Sequence, residues 1–260
     1  MLLQINNLKT YFYQDQTPVK AVDGVSLGLE KGEVLGLVGE SGSGKSTVGL
    51  SILRLIDPPG NIAGGEIIFD GQDLLRLDDS AMQKIRGAKI SMIFQTPFTA
   101  LNPVYTIGDQ IVEAIRFHQK LPKKAAQQRA IEMLSLVQIK NPARRLGEYP
   151  HQFSGGMQQR VMLAMALSCN SKLLIADEPT TALDVTVQGE IIKLLNDLKE
   201  KLGLSIILIT HDFSVAAELC SRIAVMYAGK IVEQGALADV VLRPQDGYTQ
   251  KLIAAVPRMR

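Results

Sequence analysis

Nine consecutive residues carry the most explicit chemistry in this chain: Gly39-Glu40-Ser41-Gly42-Ser43-Gly44-Lys45-Ser46-Thr47. Glycines at this density let the backbone curl so that successive N–H groups point inward at a polyphosphate. Lys45 is long enough to reach the outer phosphates, and the Ser46 hydroxyl suits the Mg²⁺ that travels with them. A second set of polar groups stands at the ends of apolar runs. Leu173-Leu174-Ile175-Ala176 leads into Asp177 and Glu178. Asp177 fits a Mg²⁺ ligand, directly or through water, and Glu178 a general base on the attacking water. His211 closes the run 205–210 and Gln95 the run 90–94. At such strand ends His211 can bond a γ-phosphate and orient water, and Gln95 can touch Mg²⁺ or that water. Each alone is a weak signal; four strand ends carrying suitable groups make a strong one.

The stretch Phe153-Ser154-Gly155-Gly156-Met157 has a different logic. Ser154 is a good helix N-cap. Two glycines in the first turn destabilise a helix by about 1 kcal/mol each relative to alanine. They make sense where bare backbone N–H groups must approach an anion. A second copy of the chain, facing head to tail, would bring this turn to its mate's phosphate loop.

The elements that must position these groups follow an α/β pattern. The apolar run 34–38 reads as a buried parallel strand, and 47–56 as the helix after the loop, ended by Asp57-Pro58-Pro59-Gly60. Residues 3–13, 19–29 and 65–70 read as a small antiparallel layer. A short helix is expected over 78–86, with Asp79 or Ser80 near its cap, and a strand over 90–94. Prolines at 97, 103, 122, 142 and 150 punctuate amphipathic segments at 107–119, 123–138 and 142–147, a helical insertion over 96–150. The α/β pattern resumes with helices at 155–168, 187–202 and 213–220. Strands are expected at 172–176, 204–210, 222–227 and 230–234, and a last helix at 248–255. The whole of 1–260 is read as one domain. Residues 1–95 and 151–235 form its core and β layer, and 236–260 a helical end.

Composition excludes several classes. Hydrophobic residues make up 46% and charged residues 21%, ordinary for a soluble globular protein. A net charge of +2 supplies no global field for nucleic acid or anionic lipid. No run of about 18 apolar residues is present to span a bilayer. The first residues lack the basic and apolar regions of a signal peptide. Cys169 and Cys220, far apart and in apolar helical contexts, read as buried free thiols of a cytosolic chain.

On these residues the chain resembles the nucleotide-binding subunit of ATP-binding-cassette (ABC) transporters over essentially its full length. The matching pieces occur in the family's order: the Walker A loop 39–47, the Q-loop Gln95, the signature 153–157, Walker B 173–178, the D-loop Thr181-Ala182-Leu183-Asp184 and the H-loop His211. The family stacks an aromatic on adenine. Tyr11 is the match, with Phe12 and Tyr13 in the adjacent registers. Within the family the chain looks like the dipeptide/oligopeptide/nickel import group. The resemblance rests on Phe98-Thr99-Ala100-Leu101-Asn102-Pro103, on Tyr149-Pro150-His151-Gln152 before a signature ending in Met157, and on Gly247-Tyr248-Thr249-Gln250 with 252–257. Many peptide-import members continue into a cysteine-bearing iron–sulfur tail. The sequence ends at Arg260 without such cysteines, so no cluster is expected, and whether the chain is naturally short stays open.

The resemblance implies a RecA-like phosphate-loop NTPase core with a small antiparallel β subdomain and an inserted α-helical subdomain. It implies two ATP molecules with Mg²⁺, each held between one phosphate loop and the Ser154-Gly155-Gly156 turn of a second ABC ATPase subunit, identical or a paralogue. Asp184 of the D-loop belongs to the same shared site. Two transmembrane permeases would dock on the insertion, with Phe98, Leu101 and Val104 as candidate contacts or ordinary packing residues. An extracytoplasmic solute-binding protein would act indirectly, and the subunit would sit peripherally on the cytoplasmic side of the membrane. Nickel or another small solute is an alternative cargo. A soluble cassette ATPase on nucleic acid or ribosomes is the alternative of another class; those commonly carry two cassettes or long coiled coils and a basic groove, whereas this sequence shows neither of the first two and a net charge of +2. Against a phosphate-loop kinase or GTPase, this sequence has no guanine-reading Asn-Lys-x-Asp stretch, and the double-glycine turn would be unexplained.

Overall fold

The structure is a computed structural model that describes residues 1–14, 17–95, 100–181 and 183–255. It divides into two compact units, Met1–Met82 with Ser205–Arg260, and Gln83–Leu204.

The first unit begins with two long strands, β1 (Leu3–Gln14) and β2 (Thr17–Leu29), then β3 (Val34–Val38) and helix α1 (Lys45–Ile52). Strands β4 (Gly60–Phe69) and β5 (Gln72–Asp73) and the short α2 (Asp79–Gln83) follow. An antiparallel sheet takes the order β2-β1-β4-β5, with Leu3 opposite both Leu29 and Phe69. Its buried face carries Leu3, Ile5, Val25 and Ile67. Where β1 pairs with β2 the register slips between Thr10 and Tyr11, so that Thr10 faces Val22, Tyr11 faces Lys20, and Ala21 is left unmatched.

The rest of this unit comes from the end of the chain: β8 (Ser205–Thr210), α8 (Phe213–Leu219), β9 (Arg222–Tyr227), β10 (Lys230–Ala236), α9 (Leu237–Leu242) and α10 (Gly247–Ala254). Strand β3 lies between β8 and β9 and is parallel to both. All five of its residues are buried, as continuous Val/Leu runs in two-sided parallel sheets require. Strand β10 returns antiparallel on β9 through Ala228 and Gly229, both at positive φ.

The second unit contains β6 (Ile90–Ile93), α3 (Ile107–Gln119), α4 (Lys123–Leu136), α5 (Pro142–Arg145), α6 (Gly155–Leu167), β7 (Leu173–Asp177) and α7 (Val185–Leu202). Strands β6 and β7 pair in parallel from Ile90↔Leu173 to Ile93↔Ala176. Ile111 and Ile115 of α3, Leu134 of α4 and Leu163 of α6 are fully buried and form the centre of its helical part. Thr106 caps α3 by accepting from Asp109 N at 3.1 Å.

Three expectations are corrected. Helix α1 stops at Ile52, short of 56, in a Schellman closure. Leu55 N donates to Leu50 O and Arg54 N to Ser51 O, with Arg54 left-handed at φ 52°. The guanidinium of Arg54 donates to Leu77 O and Leu74 O, which holds that conformation without a glycine. Helix α2 is shorter than 78–86, and Asp78, not Asp79 or Ser80, takes the Ala81 N–H at 2.7 Å. Strand β4 starts at Gly60, five residues before the expected 65, whereas α9 falls within the expected helical end 236–260.

Candidate functional site

Val38, the last residue of β3, delivers the chain into the loop 39–44, and Gly44 begins α1 as its N-cap at φ 102°, ψ 4°. Gly42 is also left-handed, at φ 80°. The loop is tightly enclosed by backbone. A Cβ at Gly39 would lie 2.1 Å from Met226 O, and one at Gly44 2.0 Å from Ala21 O. The β9–β10 turn braces it further. Gly229 N donates to Ser43 O at 3.0 Å, and Asp23 N to Gly229 O at 2.8 Å. Lys45, 4% exposed, folds its ammonium over the loop. Nζ donates to Gly39 O and Glu40 O, both at 2.7 Å, and to Ser43 Oγ at 3.3 Å. A buried ammonium held by the loop's own carbonyls and an exposed Ser46 on the first turn of α1 fit a phosphate chain with its cation.

Elsewhere in the same unit, His211 follows β8 directly and is exposed. Thr210 Oγ1 accepts from Asp212 N, and Asp212 caps α8 through Ser214 N at 2.7 Å. Tyr11 is half-buried. Its hydroxyl donates to Asp23 Oδ1 at 2.7 Å, and Lys20 Nζ sits 5.6 Å from its ring centre. That bond to Asp23 raises the Tyr11 phenol above its usual pKa and lowers the Asp23 carboxyl. Tyr13, in a neighbouring register, is exposed.

In the second unit, β7 ends in a buried Asp177, and Glu178 follows in the left-handed region at φ 46°. That conformation is uncommon for a non-glycine residue and turns the chain sharply at the acid. Gln95 Nε2 donates to Glu178 Oε2 at 3.0 Å, and Thr181 Oγ1 donates to the same oxygen at 2.8 Å. Two residues named for catalysis in the sequence, Gln95 and Glu178, are thereby brought together. Thr181 joins them, in a role its motif alone did not suggest.

Ser154 caps α6, its Oγ accepting from Met157 N at 3.4 Å. The amides of Gly155 and Gly156 have no acceptor within their own helix. The reading of these glycines needs an addition: a Cβ at Gly156 would come within 2.6 Å of Val187 Cγ1 on α7. Gly156 therefore serves close helix packing, while at Gly155 the nearest atom, Leu183 Cδ2, is an ordinary 3.6 Å away. Asp184 caps α7, taking Val187 N at 3.0 Å. Of the suggested permease contacts, Leu101 is buried at 2% exposure and belongs to the packing, whereas Val104 is 71% exposed. Phe98 lies outside the described residues, as do Thr96, Pro97 and Thr99 beside it, Ala182 of the D-loop, and 256–257 of the final matching stretch.

The braced glycine loop at the end of a buried parallel strand, with its folded-over lysine, defines a phosphate-loop nucleotide-binding protein. Comparison carries the assignment further. The family model described as ABC transporter matches residues 22–181. A probable peptide ABC transporter ATP-binding protein, y4tR, of Sinorhizobium fredii is 50% identical, covering 100% of this chain and 78% of its own. The dipeptide transport ATP-binding protein DppD of Haemophilus influenzae is 52% identical over 98% of this chain and 78% of its own. The solved post-hydrolysis dimer of the ATP-binding cassette MJ0796 with ADP and Pi superposes with a TM-score of 0.81 at 31% identity. It covers 91% of this chain and 99% of that one. CbiO1 of Clostridium perfringens, part of a cbiONQ complex, gives 0.80 at 27% identity, over 99% and 96%. The chain belongs to the ABC transporter family. An α/β phosphate-loop fold and an ATP-hydrolysing transporter subunit, both expected from the sequence, are borne out at that level. Among the described residues, no helix is long and apolar enough to cross a membrane.

Proposed function

We propose that this chain is the ATP-hydrolysing subunit of a membrane importer for di- or oligopeptides, working as a dimer of ABC ATPase subunits beneath two permeases. The observation that carries the solute class is the 50–52% identity, over 98–100% of the chain, to proteins named for peptide and dipeptide transport. In this reading the amides of 41–47 and the Lys45 ammonium grip the β- and γ-phosphates. Tyr11 lies against the base. Ser46, Asp177 and Gln95 would hold Mg²⁺, which when bound would neutralise charge on the phosphoryl oxygens. Glu178 takes the proton of the attacking water, and His211 steadies the γ-phosphate. The Gln95 amide, bonded to Glu178, ties the acid to the chain just before the helical insertion. Ser154, Gly155, Gly156 and Asp184 complete the site of the facing subunit. The permeases dock on the 96–150 stretch at the cytoplasmic side of the membrane, and an extracytoplasmic receptor delivers the solute.

The test is Glu178→Gln. It removes the base while keeping an oxygen for Gln95 and Thr181. Turnover is expected to vanish with ATP affinity intact, and gel filtration to show a dimer only with ATP. Wild-type turnover would remove Glu178 from this role. For the solute, the reconstituted permease complex should hydrolyse ATP faster with a peptide-loaded receptor. Stimulation by nickel and not by peptide would overturn the peptide assignment.

A further inference from the structure

We infer that Tyr248, on the C-terminal helix α10, is a positioning residue for the phosphate loop, holding the Gly39–Glu40 peptide in its nucleotide-ready orientation. The inference rests on reading 39–47 as the ATP-binding loop. Its hydroxyl accepts the Glu40 N–H at 3.1 Å. The carbonyl of that same peptide unit, Gly39 O, accepts from Lys45 Nζ at 2.7 Å. In a trans peptide the C=O and N–H point in opposite directions. Lys45 therefore holds one end of this peptide and Tyr248 the other. When Lys45 releases Gly39 O to meet a phosphate, the carbonyl end loses its restraint. The Tyr248 hydroxyl is then the contact that keeps the unit from rotating.

The tyrosine is itself well moored. Its ring lies 4.2 Å from that of Tyr227, centre to centre. Tyr227 adjoins Met226, whose carbonyl abuts Gly39. The Tyr248 backbone N–H donates to Asp246 Oδ1 at 2.8 Å. The carboxylate of Glu233 on β10 takes the N–H groups of Gln245 and Asp246 at 2.8 and 3.1 Å. Burial raises the phenol above its usual pKa, so the hydroxyl stays neutral. The end of the chain is thus mechanically joined to the loop at its beginning.

The test uses the full chain with Tyr248→Phe, which keeps the ring on Tyr227 and deletes only the acceptor. Loss of one neutral hydrogen bond predicts MgATP affinity about 3- to 10-fold weaker by calorimetric titration. The Glu40 amide should also exchange faster in deuterium, while the nucleotide-free melting temperature holds. Lys45→Ala is measured alongside. Unchanged ATP affinity in Tyr248→Phe with weakened binding in Lys45→Ala would overturn the positioning role and leave the phosphate-loop reading standing. Unchanged binding in both would overturn that reading too. A weaker affinity that merely follows a fall in melting temperature would assign Tyr248 to folding and overturn the inference.

Discussion

Gly44→Ala against Gly42→Ala separates two reasons for a glycine in the phosphate loop. Both positions are left-handed, at φ 102° and 80°, so either alanine incurs the steric strain of that region, about 1–2 kcal/mol. At Gly42 nothing lies within 4 Å of the new methyl, and the strain is the whole effect. At Gly44 the methyl would sit 2.0 Å from Ala21 O and 2.8 Å from Met226 Cε. The thioether end can swing aside, but the Ala21 carbonyl belongs to the bulged backbone of β2 and must be pushed more than an ångström, as must the loop. Overpacking of that kind adds about 1–3 kcal/mol. Gly44→Ala should therefore exceed Gly42→Ala in destabilisation by about 1–3 kcal/mol. With six tyrosines and no tryptophan, tyrosine fluorescence during urea unfolding reads the difference. Gly44→Ala should also bind ATP less well, because the start of α1 must shift. Equal losses in the two variants, or a larger one at Gly42, would refute the reasoning.

Two further outcomes follow from the titratable groups. Burial pushes the Glu233 carboxyl up, but the hydrogen bonds it accepts, led by that of the Gln245 N–H, together outweigh it and hold the carboxyl below its usual 4.5. Its contribution to docking α10 is thus fully present above pH 4.5 and lost as pH falls through the lower, folded value. Protection of the Gln245 and Asp246 amides, taken against the intrinsic exchange rate at each pH, should fall in that acidic window and hold between pH 5 and 7; a loss of protection at pH 6 would contradict it. Burial pushes the Cys220 thiol up to about 12, so iodoacetamide at pH 8 should spare it in the folded chain and label it in urea, as read by peptide mapping. Rapid labelling of folded protein would show that the thiol is accessible.

Much of the fold was legible because it is local. The apolar spacing of α3 marked 107–119 residue for residue, and the Val/Leu/Ile runs of β3, β7 and β8 announced strands buried on both faces. The glycine loop was legible for the same reason: its residue types are dictated by its own backbone. Illegible features depended on partners distant in sequence. Helix α1 ends at Ile52 because carbonyls at Leu74 and Leu77 hold Arg54 in a left-handed turn that usually calls for glycine. Gly44 is required by Ala21 O and Gly156 by Val187, neighbours no spacing rule reveals. The left-handed Glu178 and the Thr181 hydroxyl on its carboxylate likewise emerge only once β7 has ended.

The strand that presents the phosphate loop draws both of its hydrogen-bonded neighbours, β8 and β9, from beyond residue 204. A ribosome adding about 5–20 residues per second takes roughly ten to forty seconds to travel from Val38 to Tyr227. Until Ser205–Thr210 is made the Val34–Val38 segment has neither edge satisfied, and until Arg222–Tyr227 follows it has at most one, while Gln83–Leu204, continuous in sequence, can already be collapsing. The nascent chain thus carries this apolar run unguarded until residues 205–227 have been made, and the phosphate loop takes shape only after the whole 83–204 unit has been synthesised.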